Sequence, residues 1–322
     1  MRGRIFLFVA LVFVGARTSP LSAAPRNLRV AYAGSMGAVM DRALGPQFAQ
    51  NAHVGYQGIG AGAYGLAHLI ASGRLQADLF VSITPGPIRI LQRAGLVSQA
   101  HPIARTRMVI AYSPKSRFAA QLAAAARGGT AWWRVLETPG LRFGRTDPAT
   151  DPQGQSILFT MQLAATYYHQ SDLAKRILGS ARNPAQIFTE ASLLSRLESG
   201  EIDASSGYES AVRSLHLPFV ALPPQIDLGE PAYAHRYERA TLHLEVHGKA
   251  ESVHPQPLVF YAAVLKNAAD PKAARAFLAF VRSPRGQAIL RSFGYRRPLG
   301  PPIWCLADRR KRGCSRFPRC CF

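Results

Sequence analysis

Short apolar runs alternate with amphipathic stretches along most of the chain. Runs bounded by turn residues predict strands, and apolar positions at helical spacing predict helices. Strands are predicted at 28–32, 53–57, 78–82, 108–112, 141–144, 202–207, 219–222, 240–246 and 258–264. Helices are predicted at 38–48, 64–72, 87–94, 116–126, 132–137, 155–169, 191–199, 271–282 and 284–293. Regular alternation of the two predicts an α/β fold.

The N-terminus departs from this pattern. Arg2 and Arg4 precede an apolar run over 5–15, and small residues follow as far as Ala24. This arrangement is typical of a secretory signal peptide with a small-residue cleavage site. The alternative is an uncleaved membrane anchor, but the run is shorter than the roughly 20 residues that span a bilayer. We therefore predict that residues 1–23 are removed and that the mature protein is periplasmic or secreted.

The remaining length exceeds what one hydrophobic core usually supports, so two lobes are expected. We assign 24–107 plus 235–303 to lobe I and 108–234 to lobe II. Residues 304–322 form a basic tail that we expect to be disordered. The tail holds every cysteine of the chain, namely Cys305, Cys314, Cys320 and Cys321. Their spacing fits no established zinc pattern, and the body of the fold relies on no disulfide.

The chain is strongly basic, with 39 Lys and Arg against 18 Asp and Glu and a net charge of +21. Part of this excess lies in the signal segment and the tail. The rest creates a positive field that attracts anions. Because the basic residues of the body are scattered and the protein is exported, we do not expect nucleic acid as a partner.

Two glycine-marked turns follow predicted strands, where open α/β sheets bind their ligands. Gly34 lets a ligand approach the backbone, and the Ser35 hydroxyl can donate to it. An ordinary N-cap is the alternative role for Ser35. The stretch 33–37 also loosely resembles a nucleophile elbow, so a serine hydrolase using Ser35 is an alternative function. The second turn, 58–62, is predicted to be a glycine-rich loop whose N–H groups face an anion.

Two acidic turns follow later strands. In 147–154 each proline holds the preceding aspartate extended. Asp151 is a natural N-cap and Asp147 a natural turn residue, but a duplicated Asp-Pro is more than one cap requires. Glu209 follows Tyr208 at the end of another predicted strand, where a solvated glutamate is the default.

In combination, the segments 33–35, 147–154 and 208–210 resemble the molybdate/tungstate-binding proteins of ABC transporters, specifically the tungstate-type branch. The resemblance covers about 28–298. It implies a type II periplasmic binding protein with two α/β lobes, a ligand cleft and hinge crossovers near 105–108 and 224–240. It also implies an ABC permease in the membrane as partner, no enzymatic activity and no bound cofactor.

The resemblance implies a ligand set as well. Ser35 and nearby backbone N–H groups, including those beside Gly34 and Gly154, would hold the oxyanion oxygens. Asp151 and Glu209 would coordinate the molybdenum or tungsten atom, with Asp147 as the alternative to Asp151. Where the family offers a second serine hydroxyl, this sequence has Ala63 and Tyr64, so Tyr64 or backbone N–H groups would serve instead. Sulfate, phosphate or an organic acid are the alternative ligands.

Overall fold

The structure is a computed structural model that describes residues 27–246 and 249–304. The predicted signal peptide and all four cysteines lie outside these residues. The strands of the described part are β1 (Asn27–Ala33), β2 (Gly55–Ala61), β3 (Leu79–Ile83), β4 (Gln99–Arg105), β5 (Met108–Tyr112), β6 (Phe143–Gly144), β7 (Ala204–Tyr208), β8 (Phe219–Ala221), β9 (Leu242–Val246), β10 (Lys249–Val253), β11 (Val259–Val264) and β12 (Ile303–Trp304).

Helices connect most of these strands. The α-helices are α1 (Gly37–Val39), α2 (Gly45–Ala52), α3 (Ala63–Ala71), α4 (Pro85–Arg93), α5 (Ala119–Ala126), α6 (Trp132–Leu136), α7 (Pro152–Tyr167), α8 (Leu173–Leu178), α9 (Glu190–Ser199), α10 (Glu209–Ser214), α11 (Ala234–Tyr237), α12 (Pro271–Arg282) and α13 (Pro284–Ser292). Two short 3₁₀ turns, Gly34–Met36 and Pro231–Tyr233, and a π-helical turn, Met40–Leu44, complete them. Within the described part, no helix is both long and apolar enough to cross a bilayer.

The first lobe is built on a six-stranded sheet in the order β12-β4-β11-β3-β1-β2. β1 runs parallel to β2 and β3, whereas β11 runs antiparallel to β3 and β4. Every residue of β3 is buried, including Ser82, and α3 and α4 pack against this strand.

The second lobe is built on a four-stranded sheet in the order β6-β7-β5-β8. Its long helix α7 is buried over most of its circumference, because it packs against β5 and β7 on one side and α8 and β9 on another. Two α/β lobes are therefore present, and the predicted fold class is confirmed.

The chain passes between the lobes along backbones that are hydrogen-bonded to one another. The Thr106 N–H donates to Leu258 O at 3.1 Å, and the Leu258 N–H donates to Leu228 O at 2.9 Å. The Met108 N–H donates to Asp227 O at 2.7 Å. Apart from Leu258, these residues fall within the segments predicted as hinges, although bending at them stays a prediction, as do the lobe boundaries.

Three sequence predictions differ from the structure. The glycine-rich stretch predicted as a loop continues β2 to Ala61, because Gly60 leaves room for the Tyr32 ring, which would lie 2.8 Å from a Cβ there. β4 was not predicted, since Pro102 interrupts its pattern; it lies where the register with β11 shifts. β9 pairs with β10 in a hairpin instead of joining the sheet of the first lobe.

Candidate ligand-binding site

A cavity of about 730 Å³ lies between the two lobes. The first lobe lines it with Gly34 and with residues 58, 60, 61 and 62 at the carboxyl end of β2. The second lobe lines it with Asp147, Asp151 and the residues 187–191 that lead into α9. The cavity thus lies beyond the carboxyl ends of strands, as expected for ligand sites in open α/β sheets.

The lobes touch beside this cavity. The Gly65 N–H of α3 donates to the carbonyl oxygen of Thr150 at 3.2 Å. A Cβ at Gly62 would lie 2.8 Å from the same oxygen, so the close approach requires glycine there. The glycine-marked turn of the first lobe therefore packs directly on the duplicated Asp-Pro turn of the second.

Ser35 lies in the 3₁₀ turn that follows β1 and is only 3% exposed. Its carbonyl oxygen accepts a hydrogen bond from the Tyr295 hydroxyl at 3.1 Å, which fixes the turn. Its own Oγ is buried without a hydrogen-bond partner. Thr146 Oγ1, on a residue that lines the cavity, is also buried and unpartnered. Because an unpartnered buried hydroxyl costs free energy, both are candidates to bind a polar ligand.

The duplicated Asp-Pro turn has a structural role as well as a place in the cavity. Asp151 Oδ1 accepts from the Gln153 N–H at 2.9 Å and caps α7. Asp147 Oδ1 accepts from the Ala149 N–H at 2.9 Å, and its other oxygen lies 3.6 Å from the Arg182 guanidinium. Burial, reinforced by the Asp147 charge, raises the pKa of Asp151 to about 6. Of the two, Asp151 is the more deeply buried carboxyl.

The buried Arg145 side chain holds the backbone in place just before this turn. Its guanidinium donates to Ala181 O and Ser180 O, each at 2.8 Å, and to Gln186 Oε1 at 3.2 Å. These bonds satisfy a charged group that is otherwise removed from water. The end of β6 is therefore held rigidly just before the cavity begins.

Glu190, which the sequence analysis did not select, reaches the cavity from the first turn of α9. It is 6% exposed, and its Oε2 lies 2.6 Å from the position of a Cβ on Gly34. Burial and the nearby Asp151 charge raise its pKa well above the usual range, and the Ser35 N–H and hydroxyl lower it in part as donors. Ser35 Oγ and Glu190 Oε1 each lack a well-aligned hydrogen-bond partner, so the contact between the Ser35 hydroxyl and the Glu190 carboxyl is weak. A glutamate in a first turn is common at helix N-termini, so nothing in the sequence marks it as a site residue.

Tyr208 lies close to Asp151 and Glu190, and Tyr64 lies close to Tyr208. Tyr208 is fully buried, with its hydroxyl 3.5 Å from Ser156 Oγ, and burial raises its pKa, as do the nearby Asp151 and Glu190 charges. Tyr64 is close enough to contribute to the same shift, and it lines a separate cavity of about 220 Å³. The predicted residue Ala63 is buried at the start of α3.

Two further predicted residues lie away from the cavity lining. The Glu209 carboxylate accepts from Arg107 Nε at 2.6 Å and from Arg213 Nε at 2.8 Å, and these guanidinium groups hold its pKa below its usual value. Glu209 does not line the cavity, although α10, which begins at Glu209, contacts the 3₁₀ turn that holds Ser35. Gly154 packs so closely on the 146–148 backbone that a side chain there would overlap it.

The chemistry of the cavity is acidic and rich in neutral donors. Its lining includes Asp41, Asp147, Asp151 and Glu190 and, among the described residues, no lysine, arginine or histidine. No set of three or more His, Cys, Asp or Glu side chains within 27–246 and 249–304 is grouped to hold a metal ion. Within the described residues, no histidine is hydrogen-bonded to Ser35 Oγ.

Residues 28–296 match the family of bacterial extracellular solute-binding proteins. The chain belongs to this family. An uncharacterised solute-binding protein of Petrotoga mobilis is 32% identical over 62% of this chain and 61% of its own length. The molybdate/tungstate-binding protein WtpA of Pyrococcus abyssi is 27% identical over 62% of each protein. The chain thus aligns with less than two thirds of the length of these relatives.

The fold of this solute-binding protein is similar to that of the periplasmic molybdate-binding protein of Azotobacter vinelandii. The TM-score is 0.57 at 17% identity, over 85% of this chain and 99% of the other. At this identity the likeness shows the fold alone. The resemblance stated from sequence motifs is confirmed at the level of the family.

Proposed function

We propose that the protein binds a tetrahedral metal oxyanion, molybdate or tungstate, in the cavity between the lobes. The observation that carries this proposal is the buried Ser35 Oγ, which lacks a well-aligned hydrogen-bond partner and follows Gly34, a residue of the cavity lining. Asp151 lines the same cavity from the other lobe. The similarity to a molybdate/tungstate-binding protein supports the same ligand class.

In this proposal neutral donors hold the oxyanion oxygens. The Ser35 hydroxyl and the N–H groups at the starts of the 3₁₀ turn and of α3 are the candidate donors, because they lie next to Gly34 and Gly62 of the cavity lining. Backbone N–H groups of this kind bind anions without a charged side chain. Thr146 contributes a second hydroxyl from the other lobe.

The carboxyl of Asp151 requires a separate explanation, because an ionised carboxylate repels a dianion. It is compatible with an oxyanion if it is protonated, which its raised pKa favours, or if its oxygens bind the metal atom directly. Sulfur in sulfate does not expand its coordination in the second way. The site would therefore distinguish a metal oxyanion from sulfate of the same charge.

Calorimetric titration with molybdate, tungstate, sulfate and phosphate tests the proposal. We expect binding of at least one metal oxyanion and much weaker binding of sulfate. Ser35→Ala should weaken metal-oxyanion binding about tenfold or more, since it removes a hydrogen bond to a charged group. Ser205→Ala is the matched control, because Ser205 Oγ is also buried and unpartnered, whereas neither Ser205 nor its chain neighbours line the cavity as Gly34 does beside Ser35. Equal affinity for sulfate and molybdate, or no binding of either metal oxyanion, would contradict the proposal.

We also propose that the protein is exported and delivers its ligand to the permease of an ABC importer. The signal-like N-terminus and the family support export. N-terminal sequencing of the protein recovered from the periplasm should begin near Ala24. Cells that lack this protein should take up less molybdate or tungstate at low external concentrations. Unchanged uptake would contradict the transport role.

A further inference from the structure

We propose that the Glu190 carboxylate competes with the bound oxyanion for the donors at Gly34 and Ser35. A ligand therefore binds in the cavity only if it holds these donors more strongly than Glu190 does. This inference rests on the proposed function, since it concerns the same cavity. It gives Glu190 a role that differs from that of a ligand-coordinating carboxylate.

The position of the carboxylate is the first argument. Glu190 lies in α9 of the second lobe, whereas Gly34 and Ser35 follow β1 of the first. Its Oε2 lies directly over Gly34, 2.6 Å from where a Cβ would stand. Only a glycine at that position admits an oxygen so close to the backbone. The carboxylate therefore reaches across the cleft to the turn that the proposed oxyanion also needs.

The chemistry of the carboxylate is the second argument. A carboxyl group has two oxygens that can accept hydrogen bonds, and it competes for N–H and hydroxyl donors with the oxygens of an oxyanion. Burial and the Asp151 charge raise the pKa of Glu190, and the Ser35 N–H lowers it in part as such a donor, whereas Ser35 Oγ has no well-aligned partner. Because the contact joins the two lobes, Glu190 supplies part of the bridging that a bound ligand would supply.

The contact is also poorly satisfied, which makes it displaceable. Glu190 Oε1 is buried without a hydrogen-bond partner, and the Asp151 charge lies close to the same carboxyl. A tetrahedral dianion offers more acceptor oxygens to the same donors than this carboxylate does. On displacement, Glu190 stays in the first turn of α9, where the helix dipole favours negative charge. Anions that accept hydrogen bonds weakly do not displace it.

The experiment compares Glu190→Ala and Glu190→Gln with the native protein by titration with molybdate and tungstate. Competition predicts that Glu190→Ala binds about three- to tenfold more tightly, because displacing the Glu190 carboxyl no longer opposes binding. Glu190→Gln should shift in the same direction, and it retains the side-chain shape if the alanine variant does not fold. Glu198→Ala, at an exposed position of the same helix, is the control and should bind as the native protein does.

The outcomes separate this inference from the proposed function. If the native protein binds the oxyanions and both Glu190 variants bind them more weakly or equally, only the competition is overturned. Weaker binding would make Glu190 a direct contact of the ligand. If the native protein does not bind but Glu190→Ala does, the competition is supported in its strongest form. If neither binds, the inference fails together with the proposed function.

Discussion

Replacing Glu209 by glutamine distinguishes two roles for a buried carboxylate. In the structure its oxygens lie 2.6 Å from Arg107 Nε, 2.8 Å from Arg213 Nε and 3.5 Å from Arg296 NH2. Glutamine keeps the shape of the side chain and removes its charge. The three guanidinium groups then lose their shared counter-charge next to the crossover between the lobes.

The expected loss of stability follows from the exposure of each pair. The Arg107 pair is short, bidentate and mostly buried, so it contributes about 1.5–3 kcal/mol, as charge-assisted hydrogen bonds do. The Arg213 pair is half exposed at i,i+4 spacing and contributes about 0.3–0.5 kcal/mol. Arg296 is the most distant and also binds Glu230, so its loss is small. We expect a decrease of about 2–3 kcal/mol in the free energy of unfolding.

Urea denaturation at pH 7 measures this decrease, and calorimetry measures oxyanion affinity on the same preparations. Glu201→Gln is the control, because Glu201 forms an exposed surface pair with Arg196 and should change stability little. The arginines lower the pKa of Glu209, so its stabilisation is present above the usual glutamate pKa and is lost as pH falls through the lowered folded value. The difference between native and variant should therefore vanish in strong acid.

Unchanged stability at pH 7 would refute the reasoning from the arginine contacts. A large loss of oxyanion affinity with unchanged stability would instead support the ligand role that the motif resemblance implies for Glu209.

Two further substitutions test the site. Because the pKa of the Asp151 carboxyl is raised to about 6, the free energy of unfolding of the native protein should fall as pH rises from about 4 to 6. Asp151→Asn keeps an N-cap acceptor but removes this carboxyl, so the variant should not show that fall. The variant should gain up to about 3 kcal/mol over native at pH 8, with Asp172→Asn, at another N-cap, as the control in urea titrations. Gly154→Ala places a Cβ 2.6 Å from Pro148 N and should lower the free energy of unfolding by about 1–3 kcal/mol, whereas Gly65→Ala meets nothing within 4 Å and should not lower it. A flat pH profile, or a stable Gly154→Ala protein, would count against these contacts.

The sequence predicted the elements whose apolar period is long and uninterrupted. α12 begins and ends at the predicted residues because Pro271 starts it and the next proline follows its end. β4 and the true length of β2 were missed, since their residues include proline and glycines that only the partner strands and the Tyr32 ring accommodate. Such tertiary contacts override local preference.

The candidate site divides in the same way. Ser35 and Asp151 were predicted because turns after strands carry recognisable residues, and the structure places both at the cavity or directly beside it. Glu190 was missed because its approach to Gly34 joins residues far apart in the chain. Glu209 looked equivalent to Asp151 from local sequence, but two of its three arginine partners, Arg107 and Arg296, come from distant parts of the chain.

The paired backbones at the crossover give the second lobe adjacent ends. The Met108 N–H and the carbonyl oxygen of Asp227 form one hydrogen bond of 2.7 Å across an excursion of the chain that contains all four strands of the second sheet. The segment 108–227 is therefore inserted into the first lobe as a long surface loop would be, with its two ends next to each other. A segment of that kind can be replaced or reshaped with little strain on its host. The half of the cavity that holds Asp151 can thus change its ligand preference during evolution while the half that holds Ser35 keeps its structure.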